Sequence, residues 1–439
     1  MKKLIIYGFI FIIFLFAALP LDGYGQDSTY TNPVGNISGI GDPFVLKHDG
    51  QYYMYCTSEA SRGFKVWQSD DLVNWVEKGL AFDNGHPGNG WGTGDFWAPE
   101  VIFYDGVFYM TYSARAADGK LKICLAKSPY PLGPFINIKT PLLDSALTCI
   151  DGNFLIDDDG TPYLYYSKDC SDNIVNGNNV SQIYVQEMTP HSLEPTGDPV
   201  FCIQPSQPWE HPQDSWQWNE GPFALKHNGK YYLMYSANYY ASADYAIGYA
   251  TSSTPFGPWE KFSGNPVLAK DLSIGVSGPG HNSVTTSPDD SEMFVVYHTH
   301  TDPNAPSGDR QPNIDRMYFS GDTLKIIGPT RSPQPMPSSD GTSLIDAKKK
   351  IVNKFRLWQN YPNPFNPVTV IRYEIPLADY VRLILYDTTG RKLRTLVSRK
   401  QKAGLHSVIF NGSDLSAGIY LYRLQSGRYS EARKLILLK

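Results

Sequence analysis

Cysteine is scarce in this chain of 439 residues, and Cys56, Cys124, Cys149, Cys170 and Cys202 stand at irregular intervals. Five such residues make neither a disulfide framework nor a zinc site, whose ligands come in close pairs. Cys149 and Cys170 flank one hairpin and could pair after export, while buried free thiols would fit equally well. Charge is sparse too, at 18% of residues, and a formal balance of −5 with a pI near 6.0 leaves no basic footprint for nucleic acid. No stripe of lysine or arginine stands out. Beyond an apolar run from Leu4 to Leu19, no segment is apolar enough to cross a bilayer. Several enzyme signatures are also missing. There is no phosphate loop and no His-Glu-x-x-His helix, and Gly275-Val276-Ser277-Gly278-Pro279 lacks the second glycine of a nucleophile elbow. Asp157-Asp158-Asp159-Gly160 has none of the later ligands of an EF-hand loop and reads as a turn.

Aromatic residues, at 14% with 30 tyrosines, and glycine, with 38, are plentiful and favour strands and turns. One phrase recurs five times. Its copies open Asp42-Pro43-Phe44-Val45, Ala98-Pro99-Glu100-Val101, Asp151-Gly152-Asn153-Phe154, Glu220-Gly221-Pro222-Phe223 and His281-Asn282-Ser283-Val284. The first four lead through an apolar run to Asp49-Gly50, Asp105-Gly106, Asp159-Gly160 or Asn228-Gly229, then to an aromatic strand. Each of these is predicted to be a hairpin closed by a tight type I′ turn. Openings 53 to 69 residues apart match the blades of a propeller. Unequal spacing places insertions at Ser171–Val180 and Pro205–Trp218, where long loops shape a binding face.

In a propeller the innermost strands start at one mouth, so their opening residues converge. Aligned on Val45, Val101, Phe154, Phe223 and Val284, the residue three places earlier is Asp42, Ala98, Asp151, Glu220 and His281. Any one acid could simply cap a turn. Three together, with a histidine, form a cluster of the kind that perturbs its own ionisation and marks a functional site. Paired carboxylates suit glycosidic cleavage, one protonating the leaving oxygen and the other activating water or attacking the sugar. Copies three and four are neighbours in the ring, so Asp151 and Glu220 are expected to couple, raising one pKa toward that of a general acid. Asp42 stands apart and fits an ionised base.

Gly41-Asp42-Pro43, Trp97-Ala98-Pro99-Glu100, Ile150-Asp151 ahead of the aspartate turn, Asn219-Glu220-Gly221-Pro222 and Gly280-His281 resemble the ordered signature of glycoside hydrolase family 43 over about residues 30 to 335. The resemblance implies a five-bladed β-propeller that hydrolyses with inversion. It makes Asp42 the general base, Glu220 the general acid and Asp151 the group that tunes and orients the acid. It further implies Trp97 as the aromatic wall of a sugar subsite, and Arg310 as a substrate contact. His281 would be a polar floor that could hold a structural calcium ion through water. No cofactor is required. The substrates it implies are plant polysaccharides or oligosaccharides containing arabinose or xylose, for an α-L-arabinofuranosidase or β-xylosidase. An endo-arabinanase and a non-catalytic carbohydrate-binding propeller are the alternatives.

The remaining segments complete an all-β, two-domain reading: a propeller at 27–333, a linker at 334–352 and a small C-terminal β-sandwich at 353–439. Met1-Lys2-Lys3, the apolar run and Gly23 and Gly25 have the pattern of a signal peptide over 1–25. Ser332-Pro333-Gln334-Pro335-Met336-Pro337 is linker-like in composition. Gln359 to Pro367 with its Asn-Pro pairs, Tyr386-Asp387, Gly390-Arg391 and Gly418-Ile419-Tyr420 resemble a type IX secretion system sorting domain. That implies secretion machinery as a partner of residues 353–439 and a secreted or cell-surface location.

Overall fold

Short alternating runs around tight turns fold as antiparallel sheets. The computed structural model describes residues 29–339 and 355–438, apart from 144, 145, 147, 361, 362, 377, 402, 403 and 428. The leader expected at 1–25 and most of the linker lie outside the described residues. Between Gly41 and Ile327, five four-stranded sheets follow one another along the chain. Their innermost strands are Gly41–His48, Trp97–Tyr104, Cys149–Ile156, Asn219–His227 and Gly280–Thr286. An apolar cluster fills each gap between neighbours: Phe44 and Tyr55 with Val101 and Met110, Ile123 with Phe154, Tyr165 with Leu233, Tyr249 with Tyr297, and Phe294 with Val45. Every core thus belongs to two sheets at once. The fold is a five-bladed β-propeller.

The turns depart from expectation once. Asp49-Gly50, Asp105-Gly106 and Asn228-Gly229 have positive φ at both residues, as type I′ turns require. In the third blade the strands end at Ile156 and resume at Pro162, and only Gly160 has positive φ. The Asp157 carboxylate is held by Lys226 and Tyr231 of the next blade, so this longer loop serves as an interblade tie.

All five innermost strands share a bulge, with register shifts between Gly41 and Phe44, Trp97 and Glu100, Ile150 and Asn153, Glu220 and Phe223, and Gly280 and Ser283. The residue entering each bulge has left-handed φ: Asp42 (53°), Ala98 (43°), Asp151 (58°), Gly221 (57°) and His281 (50°). Glu220 therefore stands one residue earlier than the alignment predicted, at the position of Gly41, Trp97, Ile150 and Gly280. Aligning on Phe223 caused the slip, because Ala224 is the residue that matches Val45 and Val101. The prolines Pro43, Pro99 and Pro222 share the next place, an unpaired bulge position where a missing N–H does no harm.

The ring is fastened at its chain ends. Thr29–Tyr30 pairs with Gln334–Pro335, and Asn32 exchanges hydrogen bonds with the backbone of Ile314. Arg316 meets the Glu292 carboxylate through two nitrogens at 2.9 and 3.2 Å and also donates to the carbonyls of Pro335 and Met336. Residues 334–338, expected to open the linker, are thus docked on the propeller. Their proline-rich composition reflects extended strand and carbonyl contacts.

The tail forms a three-stranded sheet, Arg356–Leu357, Val368–Ile375 and Gly404–Asn411, and a four-stranded sheet, Lys392–Gln401, Asp379–Tyr386, Gly418–Ser426 and Tyr429–Leu437. Ile371, Tyr373, Leu383, Tyr422 and Leu435 lie in the sandwich core. The whole-chain charge conceals this module's character, since residues 353–439 carry fifteen lysines and arginines against five acids. Arg382 and Arg423 lie exposed over Tyr380 and Tyr386, an outward basic surface that the overall balance did not reveal. All five cysteines are free and buried.

Removing Glu292 as alanine leaves the buried Arg316 guanidinium unpaired, a loss of about 3–5 kcal/mol. The urea midpoint followed by tryptophan fluorescence should fall, because eight of the nine tryptophans, Trp67 to Trp259, lie in the propeller. An unchanged midpoint would contradict the fastening role.

Candidate active site

Where the bulges gather, a cavity of about 570 Å³ opens, and Asp42, Trp97, Asp151, Glu220, His281 and Arg310 all line it. The structure brings together every site residue expected from the sequence. The bulges also clasp the blades, because each bulge N–H reaches a side chain of the preceding blade. Ala98 N–H donates to Thr57 Oγ1 (2.8 Å), Asp151 N–H to Ser113 Oγ (3.1 Å), His281 N–H to Ser236 Oγ (2.7 Å) and Asp42 N–H to His298 Nδ1 (3.1 Å). The fourth bulge breaks the pattern. Gly221 N–H donates to Asp151 Oδ2 (3.0 Å), and Ser167, the residue equivalent to Ser113, keeps a buried hydroxyl without a protein partner. Asp151 is thereby pinned between the third and fourth blades, beside Glu220.

Two glycines make room for the groups that hold the other carboxylates. A Cβ on Gly41 would lie 2.0 Å from Arg310 Nη2, and one on Gly280 would lie 2.1 Å from the Tyr245 ring. Into the first space comes Arg310, whose Nη1 donates to Asp42 Oδ1 at 2.8 Å. Into the second comes Tyr245, whose hydroxyl donates to Glu220 Oε1 at 2.9 Å. Thr57 donates to Asp42 Oδ2 at 2.6 Å, and His281 Nδ1 stands 3.3 Å from Asp42 Oδ1. The Tyr245 ring stacks on His298, so one aromatic pair touches the settings of both acids.

These surroundings drive the acids apart. Burial alone would raise the Asp42 pKa, but the Arg310 guanidinium, seconded by His281, His298 and the Thr57 hydroxyl, carries it well below the usual carboxylate range. Burial raises Glu220 well above its ordinary value, and the neighbouring Asp151 charge adds to this against the Tyr245 hydrogen bond. Asp151 is pushed up to about 6, chiefly by burial, with His281 and the Gly221 N–H opposing and Asp42 adding. Near neutrality the mouth therefore offers one firmly ionised carboxylate and one that holds its proton strongly. Arg310 is buried and bound to Asp42, and it also lines the cavity.

Sequence reasoning missed Thr57 and His298, which lie in the second strands of their blades, and Tyr245, which lies in a loop. A signal was present in the glycines ahead of Asp42 and His281, since a repeated small residue marks close approach. Among the described residues no three His, Cys, Asp or Glu side chains group to hold a metal. The buried Nε2 of His298 lacks a protein partner, but calcium takes six to eight oxygens, so these residues do not fit direct calcium coordination.

A five-bladed propeller with three buried acids around one mouth is the architecture of a glycosidase. The chain belongs to glycosyl hydrolases family 43, whose model matches residues 30–324, and residues 359–438 match a secretion system C-terminal sorting domain. It is 66% identical to a thermostable family-43 glycoside hydrolase of known structure, with a TM-score of 0.70 over 71% of this chain and 100% of that one. An endo-1,4-β-xylanase structure from Bacteroides thetaiotaomicron is 36% identical, with a TM-score of 0.59 over 69% and 98% of the two chains. An extracellular exo-α-(1→5)-L-arabinofuranosidase of Streptomyces avermitilis is 26% identical across 72% of this chain, which spans 65% of that protein's length. A β-D-galactofuranosidase of Aspergillus niger is 28% identical across 65% and 82%. The protein is a family-43 glycosidase exported to the cell surface or beyond.

Substituting Gly41 by alanine should leave the fold intact, because the clash falls on the mobile end of Arg310. Displacing the guanidinium releases Asp42 toward the ordinary carboxylate range. The acid limb of the pH–activity profile should move upward, with the loss of activity confined to acidic pH. An unaltered profile would show that Arg310 does not set the state of Asp42.

Proposed function

We propose that the protein hydrolyses glycosides of arabinose or xylose in plant polysaccharides or oligosaccharides, with inversion, as an α-L-arabinofuranosidase or β-xylosidase. The opposed settings of Asp42 and Glu220 around one cavity carry the mechanistic part of this reading. The activities named for the relatives support the sugar class. Glu220 gives its proton to the glycosidic oxygen as that bond breaks. A water attacks the anomeric carbon from the other face and passes a proton to Asp42. Asp151, fixed by Gly221 and carrying partial negative charge, keeps Glu220 protonated. Trp97 flanks the sugar, and Arg310 and His281 hold Asp42 in place. No step is assigned to calcium.

The signs of the pH dependence follow. Glu220 must be protonated, so activity is lost as pH rises through its raised pKa. Asp42 must be ionised, so activity is lost on acidification only far below the ordinary carboxylate range. Replacing Asp151 by asparagine removes a like charge, eases ionisation of Glu220 and should move the alkaline limb to lower pH. Glu220→Gln should lose about 10²- to 10⁴-fold on arabino- or xylo-oligosaccharides and far less on nitrophenyl glycosides, whose leaving group departs without a proton. Proton NMR of the first product should show the inverted anomer. Wild-type protein that binds these glycans, hydrolyses none and is unaltered by Glu220→Gln would make it a binding module instead.

A further inference from the structure

The two insertions meet. Ile174–Val175 and Asn178–Val180 form a hairpin in the first, and Trp216–Gln217 in the second pairs in parallel with Asn178–Val180. This three-stranded sheet is tied down on both sides. Asn173 Nδ2 donates to the Val180 carbonyl and Asn179 Nδ2 to that of Cys170, while the buried Gln217 donates to the carbonyls of Pro212 and Asp214. With Gln217 directed inward, the alternation of a strand turns Trp216 and Trp218 the other way. Both line the cavity.

From there an aromatic row runs inward. Trp216 stacks on Trp218 with ring centroids 6.3 Å apart, Trp218 meets Tyr239 at 5.4 Å, and Tyr239 meets Tyr240 at 4.8 Å. Arg310 then lies over the Tyr240 ring at 4.9 Å, next to Asp42. Trp216 is 47% and Tyr239 44% exposed, a large apolar surface to leave in water beside an enzymatic cavity. The tyrosines are placed deliberately. Asn238 adopts a φ of 76° and donates to the carbonyls of Trp209 and Asp244, setting the turn that presents them. The rest of the lining is polar, with Asp118, Asp169 and Asp172 alongside Arg115 and Lys120, and Lys120 pairs with Asp172 at 3.0 Å.

We infer that the insertion sheet and the adjoining tyrosines form a platform for further sugars of a neutral glycan chain beyond the one that is cleaved. This rests on the glycosidase reading and extends it from the reacting sugar to the chain that carries it. Aromatic faces offer flat apolar area and a negative quadrupole to the C–H faces of sugar rings. Acids outnumber cations in the lining, with Asp42, Asp118, Asp151, Asp169, Asp172 and Glu220 against Arg115, Lys120 and Arg310, which disfavours chains of uronic acids. The protein therefore grips oligomeric or polymeric glycans by more than the reacting unit.

Calorimetric titration of Glu220→Gln protein with arabino- and xylo-oligosaccharides, from the monosaccharide to the pentasaccharide, tests this. Affinity should rise with length. Trp216→Ala and Trp218→Ala, each in that background, should reduce the gain by roughly fivefold to tenfold, the scale of one stacked aromatic contact. Trp216→Phe, which keeps a ring at the same exposed place, should retain most of it and exclude a folding defect. A length dependence untouched by either alanine, no length dependence at all, or stronger binding of oligogalacturonate would overturn the platform. Wild-type protein inactive on every glycoside, with length dependence that still follows the tryptophans, would overturn the glycosidase reading and leave the platform standing.

Discussion

A left-handed bulge at the start of every innermost strand governs the rest of this structure. For a residue other than glycine that conformation costs about 1–2 kcal/mol, and the chain accepts it at Asp42, Ala98, Asp151 and His281. In return the bulge N–H turns sideways and finds a partner outside its own ladder. In four blades this joins one blade to the next through Thr57, Ser113, Ser236 and His298. The same turn swings the bulge side chain into the mouth of the ring. Strain, blade cohesion and the placing of carboxylates are thus one feature.

Departures from fivefold repetition carry the chemistry. At the fourth bulge the N–H partner is the Asp151 carboxylate and not a serine, which couples two acids across a blade boundary. At the position before the bulge the ring holds glycine, tryptophan, isoleucine, glutamate and glycine, so one structural place supplies a wall, an acid and two openings. Arg310 and Tyr245 enter those openings from the fifth and fourth blades, and each holds one acid. The repeat builds an evenly spaced frame. Its exceptions set one carboxylate low and another high.

Much of this was legible in the chain. Asp-Gly and Asn-Gly turns at blade-length intervals read directly as hairpins of a propeller, because turn chemistry is local. The three acids could be found because they sit in a repeated phrase. Register was harder. Hydrophobic residues such as Phe223 and Val45 tolerate a slip of one place, and only Pro43, Pro99 and Pro222, tied to the unpaired bulge position, mark the true equivalence. Thr57 and His298 stand where Ser113, Ser167 and Ser236 stand in the other blades, a place whose role shows only once the bulge N–H is seen to turn toward it, and Tyr245 comes from a loop. The insertions were visible as extra length, but their joining into one sheet depends on pairing between Asn179 and Trp216, which no local pattern encodes. The tail's basic character was hidden by averaging over an acidic propeller.

The division of the two carboxylates into a fixed anion and a proton holder underlies the whole account. Carbon-13 NMR titration of the full-length protein, labelled at aspartate and glutamate side-chain carboxyls and assigned with Asp42→Asn and Glu220→Gln, measures it directly. Asp42 should remain ionised well below the ordinary aspartate value, and Glu220 should remain protonated well above the ordinary glutamate value. Glu220 titrating at or below its ordinary value, or Asp42 at or above its own, would contradict the account.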